Sequence, residues 1–225
     1  TENLQVGLDL ARVLALNQKP DQAEAVLAAQ LESNPAASAA LTAIAELMLA
    51  RGAGAAAVQY YLAGLAAAPD DGGLLQGLAA LQVGMGWHDE AIDSYRRALA
   101  VEAGNAAVMK DLGRQLQIVG RHDEAVETLS QCVELAAAEA GARYYLAQSL
   151  EALGRADEAA SRFQEALAVD APAVADLLAQ SGHEFHAKMS FDQAEQAFER
   201  ALQLNDQTAS AHFGLGMLAL QQRET

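Results

Sequence analysis

Apolar residues along this chain return at i, i+3, i+4 and i+7, the spacing that gathers them on one face of an α-helix. Met109, Leu112, Gly113 and Leu116 make one such stripe, and Ala125, Leu129, Cys132 and Val133 make the next. Gly120, Arg121 and Asp123 stand between the two stripes. The pattern predicts a helix, a turn and a second helix. It then repeats. An alanine at one fixed place in the second helix appears as Ala23, Ala57, Ala91, Ala125, Ala159 and Ala194, at intervals of 34, 34, 34, 34 and 35 residues. A period of this length marks stacked helix pairs rather than a closed globule.

Setting units by that beat gives 4–37, 38–71, 72–105, 106–139, 140–174 and 175–208, with 209–225 left as a single helix. Between the helices of four units lies a glycine, Gly52, Gly86, Gly120 or Gly154, suited to a left-handed residue that ends a helix. Asp21, Asp89, Asp123, Asp157 and Asp192 open the second helix in five units, where their carboxylates are expected to cap free amides and to favour the positive helix end. Pro20 fits a first helical turn. Small residues recur where helices must approach: Ala11, Ala45, Ala79, Gly113, Ala147, Gly182 and Gly216 on first helices, and Gly64, Ala98, Cys132, Ala166 and Ala201 on second. Large ones alternate with them, as Leu27, Tyr61, Tyr95, Leu129, Phe163 and Phe198. One extra residue in Ala171-Pro172-Ala173-Val174 predicts a lengthened connection and a small shift in how the sixth unit stacks.

Composition narrows the function. Hydrophobic residues are 52% of the chain, mostly Ala and Leu, with only four prolines, so helix is favoured throughout. A net charge of −16 repels nucleic acid, whose binding rests on neutralising phosphates, and disfavours anionic membrane surfaces. No apolar run approaches the length of a membrane span, so no direct insertion is expected. The lone Cys132 excludes an internal disulfide, and at a close-packing position it reads as a buried, inert thiol. The chain opens without Met and stops inside a unit, as a portion of a longer protein would.

These features resemble the tetratricopeptide repeat, a 34-residue helix–turn–helix with W-x2-L-G-x2-Y, then A-x3-F, then P. Leu112-Gly113, Leu146-Ala147 and Leu215-Gly216 carry the match on first helices. Ala91 with Tyr95, Ala159 with Phe163, and Ala194 with Phe198 carry it on second helices. Pro35 and Pro69 stand where the closing proline belongs. Departures are the family's early aromatic, here Gly7, Leu41, Leu75, Met109, Arg143, Leu178 and His212, and also Gln30 at a small-residue site and Ser181 at a leucine site. The resemblance implies an all-α, right-handed α-α superhelix of six repeats plus one extra helix.

It also implies that first helices line a concave face. The positions that would face inward include Arg12, Glu46, Gln76, Lys110, Arg114, Gln117, Tyr144, Gln148, Glu151, His183, His186, Phe213 and Met217. Lys110 and Arg114 are one helical turn apart and suit a partner's carboxylate, with Tyr144, Phe213 and Met217 for apolar contact; the alternative is a solvated groove in which these side chains are unoccupied or paired to Asp111 and Glu151. The clamp of chaperone-tail binders is not reproduced, because Arg114 stands where their asparagine would. The asparagine ladder of O-GlcNAc transferases is missing too, its line reading Asp9, Ala43, Gly77, Asp111, Tyr145, Gln180 and Gly214.

Chemistry of other kinds is not expected. His183-Glu184-Phe185-His186 is one residue short of H-E-x-x-H, so its histidines read as polar groove residues rather than metal ligands. No Gly-rich phosphate loop and no Ser/His/Asp cluster stand out, and no cofactor is expected. The expected function is a non-catalytic scaffold that binds a peptide or helical segment, one carrying acidic residues where it meets the basic pair. The alternatives are a recruiting or regulatory array of a larger enzyme, such as a bacterial glycosyltransferase, or a periplasmic assembly factor for a secretion or polysaccharide-export complex. Apolar ends of such an array are open to pairing with another copy.

Overall fold

The computed structural model describes residues 2–17, 19–34 and 37–223, and among these it holds twelve α-helices and no strand. They are α1 (Glu2–Leu16), α2 (Pro20–Ser33), α3 (Ser38–Ala50), α4 (Gly54–Ala67), α5 (Gly72–Gly84), α6 (His88–Val101), α7 (Ala106–Ile118), α8 (His122–Leu135), α9 (Ala140–Ala152), α10 (Ala156–Ala187), α11 (Phe191–Leu204) and α12 (Ala209–Arg223). Two compact units divide them: Thr1–Gly120 holds α1–α7, and Arg121–Thr225 holds α8–α12. Pro35 lies outside the described residues.

The alanine beat is the core of both units. Ala23, Ala57 and Ala91 are buried in the first, and Ala125, Ala159 and Ala194 in the second. Around them the largest fully buried side chains include Leu27, Leu41, Ile44, Tyr61, Leu74 and Ile92 in the first unit, and Leu129, Tyr144 and Phe198 in the second. A methyl group at each crossing lets the helices approach until the large side chains interlock. Cys132 is buried among them, as its position predicted.

The four turn glycines adopt the left-handed conformation, with φ from 72° to 79°. Met189 occupies the same place in the sixth repeat and holds φ 60° with a Cβ attached, while its side chain is 66% exposed. A left-handed L-residue costs roughly 1–2 kcal/mol, part of which glycine's greater freedom in the unfolded chain offsets. Met189→Gly is therefore expected to stabilise the protein by up to about 1 kcal/mol, read as a higher urea midpoint. A lower midpoint would mean that the Met189 side chain contributes more than its exposure indicates.

Two expectations need correction. The aspartates at the second helices do not cap them. Asp21, Asp89, Asp123, Asp157 and Asp192 each stand second in their helix, behind Lys19, Trp87, Arg121, Arg155 and Ser190 at the cap position, and none of these five helix starts has a side-chain cap bond. From inside the first turn the carboxylates still favour the positive helix end, which leaves the dipole part of the expectation in place. Caps do occur at first helices: Asp71 accepts from the Leu74 amide at 2.9 Å, and Asn105 from that of Val108 at 3.1 Å.

The connection before the sixth repeat is shortened, not lengthened. Only Asp170, at φ −158° and ψ 88°, interrupts the helical run of α10. Its carboxylate accepts from the Ala173 amide at 2.9 Å, so the chain re-enters helix at once. Pro172 sits in the first turn after the break, where its missing N–H would have been unpaired anyway. Ala171–Val174, read in the sequence as linker, thereby becomes a helical turn.

Two family departures form compensated pairs. Gly7 has no side chain where other repeats carry a large one, and Gln30 fills the gap; a Cβ on Gly7 would sit 2.6 Å from Gln30 Nε2. Ser181, at a leucine site, hydrogen-bonds to the Tyr144 hydroxyl at 3.0 Å. Size lost on one helix is returned by its neighbour.

Candidate functional site

In the first unit, Arg12 on α1 and Glu46 on α3 are exposed and line one cavity of about 600 Å³ with Leu8, Leu27, Thr42 and Ala43. Gln76 on α5 is half-buried, as are Lys110, Arg114 and Gln117 on α7. Lys110 and Arg114 lie one turn apart, as their spacing requires. Arg114 is close enough to act on the Tyr95 hydroxyl. Burial pushes that hydroxyl's pKa well up and Asp111 adds to the rise, while the Arg114 guanidinium works the other way. Tyr61 is raised likewise by burial, and its hydroxyl shares a 3.1 Å hydrogen bond with Thr42 Oγ1. Neither phenol ionises near neutral pH.

In the second unit, Tyr144 is not the exposed apolar contact the sequence suggested. It is 1% exposed, with its ring against Tyr145 and Phe163. Burial pushes its pKa up to about 12. The hydroxyl instead receives a 2.8 Å bond from Gln148 Nε2, on the next turn of α9. Tyr144 thus orients Gln148. Glu151 is exposed and, with Gln148, Phe163 and Arg200, borders a cavity of about 370 Å³.

His183 and His186 turn toward α12. His183 Nε2 lies 2.9 Å from Ser210 Oγ, and His186 Nε2 lies 3.3 Å from Gln221 Oε1. The His183 ring also packs edge-on to Phe198 at 4.9 Å. Among the described residues no group of three His, Cys, Asp or Glu side chains is placed to hold a metal ion. Phe213 and Met217 are exposed on one face of α12, at 65% and 42%, and Leu220 follows them at 63%.

The sequence drew its candidate residues from first helices and so missed Phe163 and Arg200, which border the cavity beside Gln148 and Glu151 from second helices. Arg200 Cζ stands 5.4 Å from the centre of the Phe163 ring, within cation–π range. The large–small alternation of second helices was the signal that pointed to Phe163. Arg200 gave none, because a charged residue on an amphipathic helix reads as solvated.

Among the described residues no helix is long and apolar enough to cross a membrane. No curated protein matches the chain in sequence. Solved structures do resemble it. One of MamA is 20% identical, covering 75% of this chain and 92% of its own, with a TM-score of 0.62. A second MamA structure is 23% identical over 76% and 93%, at 0.58. YrrB, described as a TPR protein with an unusual peptide-binding site, is 22% identical over 88% and 98%, at 0.57. At these identities the likeness is one of fold. Three family profiles, each described as tetratricopeptide repeat, match residues 8–72 and 187–225, 73–105, and 104–175. With helix pairs, turn glycines and the alanine core in the same order, this chain belongs to the tetratricopeptide-repeat family.

Proposed function

We propose that this chain is a protein-interaction scaffold whose first helices recognise a peptide or helical segment of a partner. One observation carries the reading: Phe213, Met217 and Leu220 are exposed on a single face of a helix whose other side is packed. Large apolar side chains grouped this way on a surface mark interaction sites. The helix fixes the backbone that carries them, so little backbone freedom is lost on binding.

In the first unit, Lys110 and Arg114 are the pair suited to a carboxylate, since a guanidinium one turn from an ammonium offers two directed donors and a point charge. The partner segment would then carry Asp or Glu at that point. Selection from a displayed peptide library, followed by binding measurements on the hits, tests both parts. Reversing both charges (Lys110→Glu with Arg114→Glu) is expected to weaken acidic hits by about tenfold or more. Unchanged affinity would remove the carboxylate role. Phe213→Ser with Met217→Ser is the matching test of the apolar face.

Self-association is a second reading, favoured by α1. Val6, Leu10, Val13 and Leu16 are exposed along it. The residues in register with Leu10 on later first helices of the same unit, Ile44, Leu78 and Leu112, are buried. A second copy would cover this stripe. Sedimentation should show concentration-dependent association that Leu10→Glu removes; a monomer at high concentration in the unaltered protein would end this reading.

A further inference from the structure

The second helices of four repeats place an aromatic ring at one fixed position: Tyr61, Tyr95, Phe163 and Phe198. Where glycine contacts are closest, the location of the ring is plain. Tyr61 comes so near Gly77 that a Cβ there would meet the ring at 2.7 Å, and Phe198 stands as close between Gly182 and Gly214. The ring therefore fills the space between its own first helix and the next.

The first repeat has Leu27 at that position, and here the space is open. It forms the cavity of about 600 Å³ between α1, α2 and α3. Its walls are the register equivalents of residues that hold rings elsewhere. Ala11 corresponds to Gly182, Arg12 to His183, Leu8 to Thr42, and Ala43 to both Gly77 and Gly214. Leu27, which has no ring, is buried and lines this cavity too.

We infer that this cavity is a binding pocket for an aromatic side chain supplied by a partner. The chain's own Tyr61 and Phe198 show which shape such walls accommodate. An apolar cavity of about 150 Å³ already suffices for benzene, so volume does not restrict the choice among Phe, Tyr and Trp. At the rim stand Asp9, Arg12 and Glu46, two carboxylates against one guanidinium. That balance favours a basic residue next to the aromatic one. The pocket deepens the scaffold reading and rests on it for its biological partner, but a free aromatic probe tests it independently.

The probe is N-acetyl-tryptophanamide, titrated into the ¹⁵N-labelled chain. Saturable shifts confined to amides of α1, α2 and α3 are expected, and their absence overturns the pocket. Leu27→Tyr with Ala43→Gly rebuilds the Tyr61–Gly77 arrangement in the first repeat. The filled variant should melt at a higher temperature and lose the probe shifts; shifts retained with the ring in place overturn the assignment. Ala43→Leu plugs the cavity from its opposite wall without rebuilding the core, so the loss of shifts remains testable if the double variant folds poorly. Short peptides Lys-Trp-Lys and Glu-Trp-Glu then test the rim. The basic one should bind at least about tenfold more tightly, and equal affinity removes the rim from the recognition. Should the probe bind while peptides selected for partner binding ignore Leu27→Tyr/Ala43→Gly, the pocket stands and the proposed mode of partner binding falls.

Discussion

Phe198→Ala is expected to destabilise the second unit by about 3–5 kcal/mol. The ring is wholly buried on α11, flanked by Gly182 of α10 and Gly214 of α12 and edge-on to His183. Removing it leaves a void lined by two glycines, which have no side chains to collapse into the space. Backbone would have to move instead, and helix backbone gives little. Urea unfolding followed by circular dichroism should register the loss, and hydrogen exchange should locate it in α10, α11 and α12. A cost below about 1 kcal/mol would mean that these helices close over the gap, contrary to the close packing described.

The second large effect comes from adding atoms at the same place. A Cβ on Gly214 would lie 2.2 Å from Phe198 Cζ and 2.4 Å from Cε1. The ring has no free side to move toward, because Gly182 bounds it on the other face at 2.6 Å from its own would-be Cβ. Alanine normally improves a helix interior over glycine by about 1 kcal/mol. Here overpacking of roughly 1–3 kcal/mol opposes that gain, so Gly214→Ala should be a net loss. The sign is the useful part. In a Phe198→Leu background the clash disappears and the helix preference of alanine remains. Gly214→Ala should then be neutral or stabilising, and the two changes should be strongly non-additive. Additive costs would show that the glycine is there for another reason.

The same contact explains a line of residues that the sequence left without meaning. Asp9, Ala43, Gly77, Asp111, Gln180 and Gly214 vary freely in character along the repeats. Gly77 and Gly214 are small because a ring from a second helix presses on them. Burial raises the pKa of Tyr95, and Asp111 is close enough to add to the rise. Ala43 and Leu27 border one cavity, and the space between them stays open.

Much of this protein could be read from its residues alone. Helix pairs, their order, the left-handed glycines and the alanine core follow from local rules: a 34-residue beat, helical spacing of apolar residues, and the conformational freedom of glycine at a turn. Each depends on neighbours close in sequence, so no three-dimensional information was needed. Tertiary structure decided which side chains meet across helices. It buried Tyr144 with its hydroxyl bonded to Ser181 and Gln148, supplied a cap from Asp170 for α10's second segment, and paired Gly7 with Gln30.

The first-repeat cavity belongs to the same class. Leu27 looks like an ordinary core leucine until Tyr61 and Phe198 show what its position holds elsewhere. Periodicity fixes which face a residue is on, but filling is a sum over three helices, and that sum exists only once they are packed.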